Sequence, residues 1–90
     1  MNGNNVTVII PAFNEEGRVG KVVKSIVANS YEVIVIDDCS KDNTVYEART
    51  AGAEVIEKGQ NKGCLDSIKV GFKQAEGDIF VTMDADGEHL

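Results

Sequence analysis

Two acidic stretches in this chain have the residue types and spacing to do chemistry. "DADGEH" carries Asp84, Asp86 and Glu88 at alternating positions directly after a hydrophobic run. If an extended backbone continues through them, their side chains share one face. Hard cations such as Mg2+ or Mn2+ take one or two carboxylates and fill their other positions with water and substrate phosphates. "DDCS" places Asp37 and Asp38 at the end of a second apolar run, and "PAFNEE" (residues 11–16) follows a third. Asp and Asn also cap helices and make turns, and that plainer role suffices for Asp42 and Asn43. It does not explain three polar clusters that each begin where an apolar run stops.

The runs themselves say what positions these clusters. "VTVII" (6–10) is β-branched and closed by Pro11, which cannot donate to a ladder. Val19, Val22, Val23, Ile26 and Val27 recur at helical spacing. "EVIVID" (32–37) is apolar on both faces, the pattern of a strand buried in a parallel sheet. "SKDNT" supplies turn and N-cap chemistry before a short helix with Val45, Ala48 and Ala51 on its apolar side and Gly52 as its stop. "AEVIE" predicts a weaker third strand. Leu65, Ile68, Phe72 and Ala75 mark the apolar side of a third helix ending near Gly77, and "DIFVTM" (78–83) predicts a fourth strand. The order β-α-β-α-β-α-β, without linkers or repeats, predicts an α/β fold with a parallel sheet and right-handed crossovers. In such sheets ligands sit outside the carboxyl ends of the strands, where strand order reverses. All three polar clusters fall at carboxyl ends.

Composition narrows the chemistry. Nine basic residues against fifteen acidic ones give a net charge of −6, so nucleic acid is excluded as a partner for want of a basic stripe. An anionic ligand would need a bridging cation. Cys39 and Cys64, without a CxxC pair and with one histidine, are too few for a zinc site and are expected as small packing residues. No apolar stretch approaches the roughly 20 residues of a membrane span, and no signal-peptide pattern opens the chain, so a cytoplasmic setting is expected.

Two familiar phosphate-binding designs can be tested by spacing. A dinucleotide fold needs GxGxxG after its first strand, whereas "PAFNEEGRVG" offers only Gly17 and Gly20. A receiver-like phosphoacceptor tolerates the separation of Asp38 from Asp84, but leaves "VTVIIPAFNEE" and its helix unexplained.

Taken together, "VTVIIPAFNEE", "YEVIVIDDCSKDNT", "NKG" and "GDIFVTMDADGEH" resemble glycosyltransferase family 2, of the GT-A fold, and within it the dolichol-phosphate mannose synthase-like enzymes. The resemblance covers residues 6–89, with the four motifs in order. It implies a three-layer, Rossmann-like parallel sheet with strand order 3-2-1-4. It also implies that Pro11, Ala12, Asn14 and Glu15 face a nucleotide, that Asp38 hydrogen-bonds the base with Asp37 as its structural neighbour, and that Asp84 contacts nucleotide and metal. Asp86 and Glu88 complete the implied metal set for Mg2+ or Mn2+, Glu88 standing where relatives often have Gln. Asn61 and Gly63 resemble a loop near the nucleotide, and His89 is left between a diphosphate contact and a strand cap.

The implied donor is a GDP- or UDP-linked sugar, transferred with inversion. No residue here matches the family's general base, which with the acceptor half would follow Leu90. Residues 1–90 are therefore expected to be the donor-binding half of a GT-A domain cut after its metal motif, inactive alone. Its fourth strand would be an open edge, favouring a homodimer or larger assembly. The alternatives are a non-catalytic α/β module that binds a metal or interacts with a partner, and the less favoured receiver.

Overall fold

The computed structural model describes residues 6–85. Strands β1 (Val6–Ala12), β2 (Glu32–Asp37), β3 (Glu54–Glu57) and β4 (Ile79–Thr82) alternate with helices α1 (Val19–Val27), α2 (Thr44–Ala51) and α3 (Cys64–Gln74). The sheet order is β3-β2-β1-β4, every neighbouring pair parallel, as the resemblance implied. β2 sits inside the sheet, and its two-sided apolar pattern fills two cores. Val8, Ile10, Val33 and Val35 pack with Val19, Val23 and Ile26 of α1 and Ala48 of α2. Ile9, Ile34 and Ile36 face the other way, against Val70 of α3 and Ala75. Two helices thus cover one face and one helix the other.

Local chemistry ends the elements. α2 stops at Gly52, whose φ of 113° is left-handed, and the N–H groups of Gly52 and Ala53 return to the carbonyls of Arg49 and Ala48. α3 stops at Gln74, short of the predicted end near Gly77, because Ala75 turns extended and packs into the second core.

Two predictions are corrected. The apolar side of α3 is not the Leu65–Phe72 stripe, since Leu65 is 76% and Phe72 47% exposed. Ser67 and Gly71 are the buried positions. A Cβ on Gly71 would lie 2.5 Å from Ile9 Cγ2, so the absence of a side chain lets α3 close on β1. Phe72 turns outward and meets Phe80 edge-on, ring centroids 5.2 Å apart.

The second correction concerns β1, which runs two residues past Ile10, through Pro11. Ile9 O accepts the N–H of Met83 on the β4 side, and Ala12 O accepts the N–H of Asp38 on the β2 side. Alternation therefore turns Pro11 toward β4. Pairing of β1 with β4 stops at Ile9 and Thr82, so the missing N–H of Pro11 faces no ladder. It is tolerated inside the sheet because β4 has already ended.

Candidate functional site

The parting of β1 from β4 opens a cleft at the reversal of strand order. Its volume is about 160 Å3, and its walls include Pro11, Ala12, Glu15, Asp38 and Asp84. The structure thereby brings together five of the six residues predicted to face a nucleotide. Asn14 is not among them. Its backbone is left-handed (φ 54°), its N–H donates to Ser40 Oγ, and its Oδ1 accepts the N–H of Lys41. Asn14 pins the 13–18 loop to the segment after β2. Phe13, Cys64 and Ser67 also line the cleft, and no pattern in the sequence marks Phe13 or Ser67. Cys64 was expected to pack and is instead exposed; Cys39 is partly buried, and both are free thiols.

The loop–loop seam is built from side chains that satisfy backbone donors. The N–H of Glu15 donates to Thr44 Oγ1 at 2.8 Å, and that of Glu16 to Asp42 Oδ2 at 3.2 Å. Asp42 also accepts from the N–H and hydroxyl of Thr44, the turn chemistry read for it in the sequence. Burial works against ionising Asp42, but these donors outweigh it and hold the carboxyl below its ordinary value. The carboxylate of Glu47 takes the N–H groups of Gly17 and Gly20 at 2.8 Å each. The start of α1 is therefore closed from within the protein. Glu15 pairs with Arg18 at 2.6 Å.

Asp37 and Asp38 divide their work. Asp37 is buried and serves the turn after β2, accepting the N–H of Ser40 at 2.9 Å and its hydroxyl at 2.5 Å. Asp38 reaches across to the loop between β3 and α3. Its Oδ1 accepts the N–H of Lys62 at 2.8 Å, and its Oδ2 that of Gly63 at 2.9 Å. Lys58 Nζ lies 2.8 Å from Asp38 Oδ1 and 2.7 Å from Asp66 Oδ2. Burial again opposes the charge on Asp38. The ammonium group and two N–H donors prevail, and its carboxyl is held below the usual value. Burial likewise opposes the charge on Lys58, and the two carboxylates raise it above the ordinary lysine value. Sequence reading singled out Asp38 and missed Lys58, which opens the polar loop between β3 and α3. Asn61 lies on that loop and is exposed, while Gly63 holds a left-handed φ of 91° at the start of α3.

Of the predicted metal ligands, Asp84 is partly exposed beside the cleft. Asp86, Glu88 and His89 lie outside the described residues. The described residues contain no group of three Asp, Glu, His or Cys that could hold a metal ion. The donor set Asp84, Asp86 and Glu88 is all carboxylate oxygen and fits a hard divalent cation. A larger groove of about 460 Å3 runs between α1 and α2, with no strand residue in its walls.

Comparison with known proteins gives a consistent family. Residues 7–90 match the family model described as Glycosyl transferase family 2. Over 92 residues the chain is 37% identical to the dolichol-phosphate mannosyltransferase of Pyrococcus furiosus, a match spanning 93% of this chain and 26% of that protein. A mannosyltransferase from Pyrobaculum calidifontis, solved in complex with GDP-Man and Mn2+, superposes with a TM-score of 0.83 at 26% identity, over 91% of this chain and 27% of that one. Glucosyl-3-phosphoglycerate synthase from Mycobacterium tuberculosis, in complex with Mn2+, UDP and glucosyl-3-phosphoglycerate, superposes with a TM-score of 0.82 at 30% identity, over 92% and 34% of the two chains. The chain spans about a quarter to a third of the length of these three proteins. No helix among the described residues is long and apolar enough to cross a membrane.

Proposed function

The chain belongs to glycosyl transferase family 2, and from that premise we propose that its β1/β4 cleft binds the nucleotide of a GDP- or UDP-linked sugar with Mg2+ or Mn2+. The observation that carries this reading is that Asp38 and Asp84, from two different strand ends, line one cleft at the reversal of strand order. Its volume suits a base-sized group and falls well short of the roughly 300–1,000 Å3 of a whole-ligand pocket. In this reading the walls from Pro11 to Phe13 and at Ser67 hold the base, and Asp38 accepts a base N–H. Asp84, Asp86 and Glu88 hold the cation. That cation supplies Lewis-acid stabilisation of the departing diphosphate during inverting transfer to an acceptor. With a net charge of −6, the chain leaves phosphate neutralisation to the metal.

The strand-end carboxylates Asp38 and Asp84 in one cleft support assigning these residues to the donor side of the reaction. β4 is an outer strand with Ile79 54% and Phe80 41% exposed, which supports association of copies along that edge. Light scattering tests that point, and a monomer at high concentration overturns it.

Paramagnetic NMR tests the site. Mn2+ is expected to broaden the amide resonances of Asp84 and Ala85 first. UDP or GDP added with Mg2+ is then expected to shift those of Phe13, Asp38 and Ser67. Broadening scattered over surface carboxylates, with no shifts at the cleft, would overturn the reading.

A further inference from the structure

Lys58 is an expensive residue to bury, and the family reading gives it no role. Its side chain is 7% exposed, yet its ammonium group meets four oxygens from two other segments. These are Asp38 Oδ1 at 2.8 Å, Asp66 Oδ2 at 2.7 Å, Ser67 Oγ at 3.0 Å and Gly63 O at 3.4 Å. Lys58 also donates its own N–H to Asp37 O, fixing its backbone beside the end of β2. A well-packed apolar side chain often serves stability as well as a buried ion pair does, so stability alone is a weak reason for a lysine here.

The hydrogen-bond inventory of Asp38 supplies another reason. Among the described residues, Oδ1 receives two donors, the Lys58 ammonium and the Lys62 N–H, and Oδ2 receives the Gly63 N–H alone. A carboxylate oxygen accepts about two hydrogen bonds, which leaves one acceptor position on Oδ2 of a residue that lines the cleft. Three donors thus orient the carboxylate, and turning it would break at least one of these bonds.

We propose that Lys58 is a positioning residue for base selection, its ammonium group clasped between Asp38 and Asp66 so that Asp38 offers one fixed acceptor to the cleft. The inference rests on the donor-binding reading and names which bases that site takes. A fixed carboxylate acceptor favours a base with an imino N–H at its pairing edge, as in uracil and guanine. Cytosine and adenine present a ring-nitrogen lone pair there, which the carboxylate repels. Asp66, partly exposed at the first turn of α3, is the second arm of the clasp.

The test compares UDP with CDP and GDP with ADP, each with Mg2+, on the wild-type chain and on Lys58→Met, Lys58→Arg and Asp66→Asn. Wild type is expected to prefer the imino-bearing nucleotide in at least one pair by about tenfold or more, the scale of one hydrogen bond to a charged group. Lys58→Met is expected to cut that preference to about threefold or less while binding of pyrophosphate with Mn2+ stays unchanged, a split that general damage would not produce. Lys58→Arg is expected to restore part of it. Amide exchange at Lys62 and Gly63 is expected to accelerate in Lys58→Met and not in Lys58→Arg. Should Lys58→Met not fold, Asp66→Asn carries the test, with a partial loss of preference expected.

An undiminished preference in folded Lys58→Met or, failing that, in Asp66→Asn overturns the role of Lys58 and leaves donor binding standing. So does a wild type that binds nucleotide with no base preference. A wild type that binds neither nucleotides nor pyrophosphate overturns the donor-binding reading, and this inference with it.

Discussion

The carboxylate of Glu47, on α2, accepts the backbone N–H of Gly20, in the first turn of α1, at 2.8 Å, and that of Gly17 at the same distance. Helix N-termini attract phosphate because their first N–H groups are unpaired and their dipole ends are positive. Here a side chain of the protein fills that place, which agrees with the missing GxGxxG. A Cβ on Gly20 would lie 2.8 Å from Glu47 Cγ, so the glycine is what lets the carboxylate approach. Glu47→Ala is expected to lower stability by about 2–3 kcal/mol, the scale of two bonds to a charged acceptor partly made good by water. Urea unfolding measures it, and a loss near zero would mean the seam carries no weight.

Gly71 and Ile9 make the corresponding close contact on the other face of the sheet. Gly71→Ala is expected to cost about 1–3 kcal/mol through overpacking. In an Ile9→Ala background the added methyl meets space instead of Cγ2, and the same change is expected to cost much less or to stabilise. Thermal unfolding of the double-mutant cycle checks this, and additive costs would contradict the packing described.

The Asp38–Lys58 pair predicts a particular pH dependence. The Asp38 carboxyl is lowered when folded, so its contribution is present above the ordinary value of 3.8 and is lost as pH falls through the lower folded value. Lys58 is raised, so its contribution is present below 10.5 and is lost as pH rises through the higher folded value. The clasp is complete between those limits. Lys58→Met is expected to cost about 2–3 kcal/mol at neutral pH, below the figure for a fully buried pair because Asp66 remains partly solvated. Unfolding free energies of wild type and variant across pH test it, and the gap between them is expected to narrow at both extremes. A gap that stayed constant with pH would contradict the ion pair.

Much of this fold was legible because β-branched runs and helical stripes have different periods. The bounds of β2, from Glu32 to Asp37, and the Gly52 stop follow directly from residue type. The α3 face was misread because the helix packs through Ser67 and Gly71, residues with little or no apolar side chain to register in a hydrophobic pattern. β1 was cut short at Pro11 because the rule that bars proline from a ladder fails where the neighbouring strand has ended. At the site, Asp38 and Asp84 stood out as carboxylates at strand ends. Asn14 shares their motif, but only the three-dimensional seam shows it bonded to the segment after β2. Lys58 was invisible for a simpler reason. A lysine in a polar loop reads as solvated, and its burial depends on partners from the end of β2 and the first turn of α3.

The most direct test of donor binding at this cleft is calorimetric titration of GDP and UDP, each with and without Mn2+, on the wild-type chain and on Asp84→Asn. Binding of one nucleotide by wild type that requires Mn2+, and is weakened or abolished in folded Asp84→Asn, is the predicted result. Equal binding with and without metal, unchanged by the substitution, would contradict a metal-bridged diphosphate at Asp84. Absence of heat with either nucleotide on folded wild-type protein would contradict donor binding by these residues.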